Sequence, residues 1–189
     1  MTLPAAWRLS LVSALLRRDG VIAYPTEAVY GLGCDPLNPA AVMRLLAIKQ
    51  RPVSKGLILV AAEFEQLRPY LQPLSRQQER KLLASWPGPV TWLVPVNDAV
   101  PYWLHGEYDS IAVRVSKHPI VRQLCMSSGM PLVSTSANIT GQPPARSALQ
   151  VRKRFVTMLD YIVSGNVGSK TARPSKIIDL RSGAVIRAA

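Results

Sequence analysis

The last 80 residues of this chain almost lack acidic side chains: residues 110–189 hold two, against 12 Lys and Arg. Residues 1–109 are near balance, with 11 basic and 9 acidic side chains. The formal net charge of +12 therefore sits in the C-terminal part. Such asymmetry suggests a face for phosphates or nucleic acid. A merely soluble basic surface carries the same count, so charge alone does not separate the two. Cysteine is scarce as well. Cys34 and Cys125 have no metal-ligand spacing and are too few for a disulfide framework. Each lies among apolar residues and reads as a buried thiol. No run approaches the ~18 consecutive apolar residues of a membrane span. The opening MTLPAAWRLSLVSALLRRDG has its charges after its apolar part, the reverse of a signal peptide. These absences point to a cytoplasmic protein with no membrane association. The two histidines, His105 and His118, complete no Ser-His-Asp order and no zinc spacing. A hydrolase, a metalloenzyme and a protein-held metal are not expected, and His118, just before Pro119, reads as a helix cap.

The 189 residues, 48% of them hydrophobic, suffice for one domain, 1–189, with a proper core. Helical and strand patterns alternate along it. Helices are expected at 5–18, from Asn38 as cap to Ile48 with Pro39 at its first position, at 63–71, 75–86, 119–128 and 147–155. Strands are expected at 21–24, 57–61, 90–96, 110–115, 132–134, 161–163, 176–180 and 184–187. Residues 25–38 read as a loop. This order gives an α/β fold: a twisted, open, mixed parallel/antiparallel sheet flanked by helices. Ligands are expected where loops leave the strand ends.

Four motifs stand out. In YPTEAVYGLG, residues 24–33, Gly31 and Gly33 let the backbone bend, but neither a Walker loop nor a complete dinucleotide fingerprint is present. An ordinary tight loop reads equally well. Lys49, Arg51 and Lys55 crowd three cations into seven residues around Pro52. One cation suits a helix C-terminus, whereas three in a fixed loop suit several phosphate oxygens. Pro131–Asn138 opens an apolar strand into Ser134, Thr135, Ser136 and Asn138, which suits uncharged polar contacts to a ligand or a set of turns. Arg114 stands in the apolar strand SIAVRV and needs a partner, either a substrate anion or an acid of the chain.

Together, PTEAVYGLGCDP, KQRP with Lys55, SIAVRV, PLVSTSAN with GQPP, and SKIIDL with AVIR resemble the YrdC family in order and spacing, over roughly residues 10 to 187. The resemblance implies a YrdC-like fold with a basic concave surface. It implies condensation of L-threonine, bicarbonate and ATP to threonylcarbamoyl-AMP and pyrophosphate. ATP is then a substrate, with Mg²⁺ carried by it. The product serves the modification of adenosine 37 in tRNAs that read ANN codons, through threonylcarbamoyl-transferase proteins. By position, Lys49, Arg51, Lys55, Ser110, Ser134, Asn138, Arg146 and Arg187 would bind ATP, with Lys49 and Arg51 catalytic. Thr26, Arg114, Ser136 and Ser175 would hold threonine. Two positions depart from the family pattern: Ala28 stands where many members have threonine, and Val60 near where many have histidine. Both departures touch the threonine side. A non-enzymatic module binding double-stranded RNA or tRNA is the alternative, and a carbamoyl-handling domain like those of hydrogenase-maturation proteins a weaker one.

Overall fold

Local signals carry most of the chain into its elements. The structure, a computed structural model, describes residues 5–169 and 174–188. In order these give α1 (Ala6–Leu16), β1 (Ile22–Pro25), β2 (Tyr30–Gly33), α2 (Pro39–Lys49), β3 (Ile58–Ala61), α3 (Arg76–Ser85), β4 (Val90–Pro95) and the short α4 (Tyr102–His105). Then come β5 (Ser110–Val115), α5 (Pro119–Ser128), β6 (Leu132–Ser136), α6 (Ala148–Phe155), β7 (Tyr161–Ile162), β8 (Lys176–Asp179) and β9 (Val185–Arg187). Asn38 starts α2 by accepting a hydrogen bond from the Ala41 N–H, with Pro39 at the first turn. Ser75 and Gln78 form a reciprocal capping box at α3, and Ser147 caps α6.

The strands form one sheet in the order β7-β1-β2-β6-β3-β5-β4-β8-β9. β1/β7, β3/β5 and β4/β8 pair parallel, and the other neighbours pair antiparallel. Ala23, Leu32, Leu59, Val113 and Val133 face a core closed by Leu45 of α2, Leu82 of α3 and Phe155 of α6. On the other face, Ile22, Tyr24, Val60 and Leu132 pack against Val12 and Leu16 of α1 and Ile120 and Leu124 of α5. β5 follows the period of two: Ile111, Val113 and Val115 are buried, while Ser110, Ala112 and Arg114 are half-buried. Ala112 and Arg114 pair with Ile58 and Val60, so they share the α1/α5 face.

Two regions differ from the sequence expectation, and α4 lies where no element is expected. The supposed loop at 25–38 contains β2, and Gly31 and Gly33 lie in extended strand rather than at a bend. Gly33 is there for space: a Cβ would sit 2.3 Å from the Val133 carbonyl oxygen and 2.8 Å from the Tyr24 ring. The expected helix at 63–71 is two 3-10 turns, Phe64–Gln66 and Arg68–Tyr70. Pro69 has no N–H to continue an α-helical ladder.

Gly33→Ala therefore forces β2 away from β6 at a fully packed position. Overpacking of this kind costs about 1–3 kcal/mol. At roughly 2–4 °C per kcal/mol for a chain of this size, thermal unfolding should fall by several degrees. An unchanged melting temperature would show that β2 and β6 have room to part.

Candidate active site

Beyond the edge of α1 and α5, the same sheet face lines a cleft of about 590 Å³. The cleft covers the face as well as the strand ends, because β5, β6 and β8 each turn alternate residues into it: Ala112, Ser134 and Ile177. Two loops form its walls, the turn from Thr26 to Val29 and the segment Lys55–Leu57. Its described lining holds Arg51, Lys55, Arg114 and Arg187 against a single acid, Glu27. The concave surface is therefore basic.

Of the residues singled out in sequence, Thr26, Arg51, Lys55, Ser110, Arg114, Ser134, Ser136, Asn138, Ser175 and Arg187 line the cleft. Lys49 and Arg146 are not among its lining residues. Arg51 donates to the carbonyl oxygens of Lys55 (3.0 Å) and Gly56 (2.9 Å), so it fixes the loop that presents Lys55. Gly56 has φ +57, and a Cβ there would lie 2.8 Å from the His105 carbonyl oxygen. The Lys55 ammonium is exposed and has no hydrogen-bond partner among the described residues. Ser136 Oγ donates to Asn138 Oδ1 at 2.5 Å, and Asn138 Nδ2 donates to the carbonyls of Ile139 and Gln142. Thr26 Oγ1 donates to the Val29 carbonyl at 2.8 Å. Arg187 donates to the Ser175 carbonyl at 2.8 Å, and Ser175 Oγ shares a hydrogen bond with Thr91. Ser175 and Arg187, which the resemblance gives to different ligands, thus touch each other.

Arg114 finds an acid of the chain. Its guanidinium lies 3.5 Å from Glu27, with the two side chains 11% and 13% exposed. Ser116 Oγ donates to Glu27 Oε1 at 2.6 Å. Burial alone would raise the Glu27 pKa; Arg114 and the Ser116 hydroxyl together more than offset this and hold it below the usual carboxylate value. His118 stands behind this pair. It occupies the N-cap position of α5 but makes no cap bond, so the cap expectation is corrected. Its Nε2 faces the Asn166 carbonyl at 3.2 Å, and burial lowers its pKa. Glu27 Oε2, Arg114 Nε and His118 Nδ1 are buried without hydrogen-bond partners. Sequence reading gave Glu27 no role; the only signal was an acid immediately after Thr26 in the first motif. His105, for which the sequence offers no role, lines the cleft. Ala28 also lines it, whereas Val60 is fully buried beneath α1 and α5 and does not.

Much of the positive excess of residues 110–189 is engaged locally. Arg114 faces Glu27, Arg122 bonds the Ala62 carbonyl, Arg181 pairs with Asp109 and Arg187 bonds Ser175. Arg152 and Lys153 remain exposed on α6. No three His, Cys, Asp or Glu among the described residues are grouped to hold a metal.

The Sua5/YciO/YrdC family, whose description reads telomere recombination, matches residues 14–189. The chain belongs to this family. It is 53% identical over 181 residues to the threonylcarbamoyl-AMP synthase of Nitrosococcus oceani, covering 96% of this chain and 97% of that protein. Among solved structures it resembles P. abyssi Sua5 complexed with L-threonine, at 33% identity and a TM-score of 0.87. That match covers 94% of this chain but 52% of Sua5, so the chain spans about half of that protein's length. E. coli YciO matches at 28% identity and a TM-score of 0.85, over 97% of this chain and 90% of that one.

In this family member, the Glu27–Arg114 pair should contribute to stability. Glu27→Gln leaves a nearly buried guanidinium without its counter-charge, at a cost on the order of 3 kcal/mol. The folded pKa of Glu27 is lowered, so its contribution is present above the unfolded value of about 4.5 and fades as pH falls through the folded value. Urea denaturation should show the variant weaker at pH 7, with the gap closing in acid. A gap that is constant with pH would rule out the ion pair as its source.

Proposed function

We propose that this chain is a threonylcarbamoyl-AMP synthase: it condenses L-threonine, bicarbonate and ATP to L-threonylcarbamoyl-AMP and pyrophosphate. One observation carries the reading, the 53% identity to a curated threonylcarbamoyl-AMP synthase over nearly the full length of both chains. The cleft supports it from the chemical side. It offers cations for a triphosphate, hydroxyls and an amide for neutral contacts, and one Arg–Glu pair suited to an amino acid's two charges.

The threonine amine and bicarbonate give a carbamate with loss of water. A carbamate oxygen then attacks the α-phosphorus of ATP, and the bond from that phosphorus to the bridging oxygen breaks as pyrophosphate leaves. Negative charge grows on phosphoryl oxygens throughout, so the protein's task is positioning and electrostatic stabilisation. In this reading Arg51 and Lys55 face the phosphates, Ser110, Ser134, Asn138 and Arg187 hold the rest of the nucleotide, and Thr26, Arg114, Ser136 and Ser175 hold threonine. Arg51 contributes twice, as a charge and as the brace of the loop bearing Lys55. The one carboxylate in the cleft's described lining is already engaged by Arg114 and Ser116, which suits a magnesium ion held by ATP oxygens rather than by a protein cage. When bound, that ion would neutralise phosphate charge.

The product is an acyl adenylate, and threonylcarbamoyl-transferase proteins would carry its threonylcarbamoyl group to adenosine 37 of tRNAs reading ANN codons. This reading places the work in the cytoplasm beside those partners; no described helix is long and apolar enough to cross a membrane.

Incubation with ATP, bicarbonate and threonine should release pyrophosphate and yield the threonylcarbamoyl adenylate only when all three are present. Pyrophosphate release without threonine would sink the assignment. Lys55→Ala should keep the wild-type melting temperature, since its ammonium is exposed and unbonded. It should weaken ATP binding by about tenfold, the lower end for a hydrogen bond to a charged group. Unchanged ATP affinity would remove Lys55 from the site.

A further inference from the structure

The triad of cations at 49–55 divides in the structure. Lys55 and Arg51 line the cleft, but Lys49, the last residue of α2, is 3% exposed and is not among the lining residues. Its Nζ donates to the carbonyl oxygens of Ser136 and Asn138 at 2.5 and 2.8 Å. The turn answers in the opposite direction. Thr140 N and Oγ1 donate to the Lys49 carbonyl at 3.1 and 2.9 Å, and Oγ1 also reaches the Gln50 carbonyl at 3.3 Å. The last carbonyls of a helix have no helical donor, so Thr140 completes the end of α2 while Lys49 completes the turn. Burial and the nearby Arg51 hold the Lys49 pKa down at about 8. No carboxylate lies within ion-pair distance of it among the described residues. An ammonium satisfied by carbonyls and shielded from solvent is placed to hold backbone, whereas a phosphate ligand must reach the cleft.

The turn it holds matters because Ser136 and Asn138 both line the cleft, joined side chain to side chain. We propose that Lys49 is a positioning residue: it acts on nucleotide binding by clamping the 136–140 turn to the end of α2, not by touching phosphate. The clamp stands on geometry alone; its effect on ATP rests on the synthase reading.

The test is hydrogen exchange on the full chain together with ATP binding by calorimetry. In Lys49→Met the amides of residues 136–142 should exchange about tenfold faster or more, the effect of losing about one hydrogen bond's worth of local stability. ATP affinity should fall with them. Thr140→Val removes only the Oγ1 bonds and keeps the ammonium. It should loosen the same amides and weaken ATP in the same direction, and the double variant should lose less affinity than the product of the two. If Lys49→Met weakens ATP while exchange at 136–142 stays at the wild-type rate, Lys49 is a phosphate ligand and the proposal falls. It also falls if Thr140→Val leaves exchange unchanged, or if the two losses of affinity multiply independently. Should Lys49→Met fail to fold, the exchange rates of Thr140→Val decide. A wild-type chain that binds no ATP defeats the synthase reading, and exchange alone then judges the clamp.

Discussion

The structure depends on the close approach of β2 to β6. β6 pairs antiparallel with β2 on one side and β3 on the other, so among the described strands it joins β7-β1-β2 to the remaining five. The join is short: Gly31 meets Ser136 and Leu32 meets Thr135. It closes because Gly33 leaves no side chain in front of the Val133 carbonyl, while the Tyr24 hydroxyl donates to that same carbonyl at 3.2 Å. The strand that makes the join also ends in the polar turn of the cleft. Fold and site therefore share one strand, whose first half is core and whose second half is ligand-facing.

The charges of the cleft follow from the same economy of positions. A cation on a half-covered sheet face needs a partner or water. Arg114 uses Glu27 across the cleft wall, Arg187 uses the Ser175 carbonyl, and Arg51 uses the loop it braces. Of the four cations in the cleft's described lining, Lys55 projects without such a bond. The net positive field of the cleft thus survives local pairing, because carbonyls satisfy donors without cancelling their charge.

Most elements were legible because they begin with local chemistry. Asn38-Pro39, Ser75 with Gln78, and Ser147 announce α2, α3 and α6, and SIAVRV shows its period of two outright. β2 is hidden in the sequence because its two glycines imitate a bend, whereas the reason for Gly33, the Val133 carbonyl, lies a hundred positions away. The 3-10 turns at 64–70 were masked by a helical pattern that Pro69 interrupts. Ten of the positions carried over by resemblance line one cleft, yet the partnership of Glu27, Ser116 and His118 could not be read. It depends on a register between the first turn and the end of β5 that no local spacing encodes. Lys49 looks like a companion of Arg51 because the two are near neighbours in sequence; the end of the helix sends their side chains to different places.

The hydrogen bonds that tie Arg51, Asn138 and Arg187 to their own backbone have a thermodynamic consequence. A long side chain frozen at an interface forfeits about 0.5–1.5 kcal/mol of rotamer freedom. Here that freedom is already surrendered when the chain folds. A ligand entering the cleft meets donors whose directions are set beforehand, and little further ordering is asked of them. Association then loses less entropy in the protein, and selection among ligands rests on whether their oxygens fall where the fixed donors point.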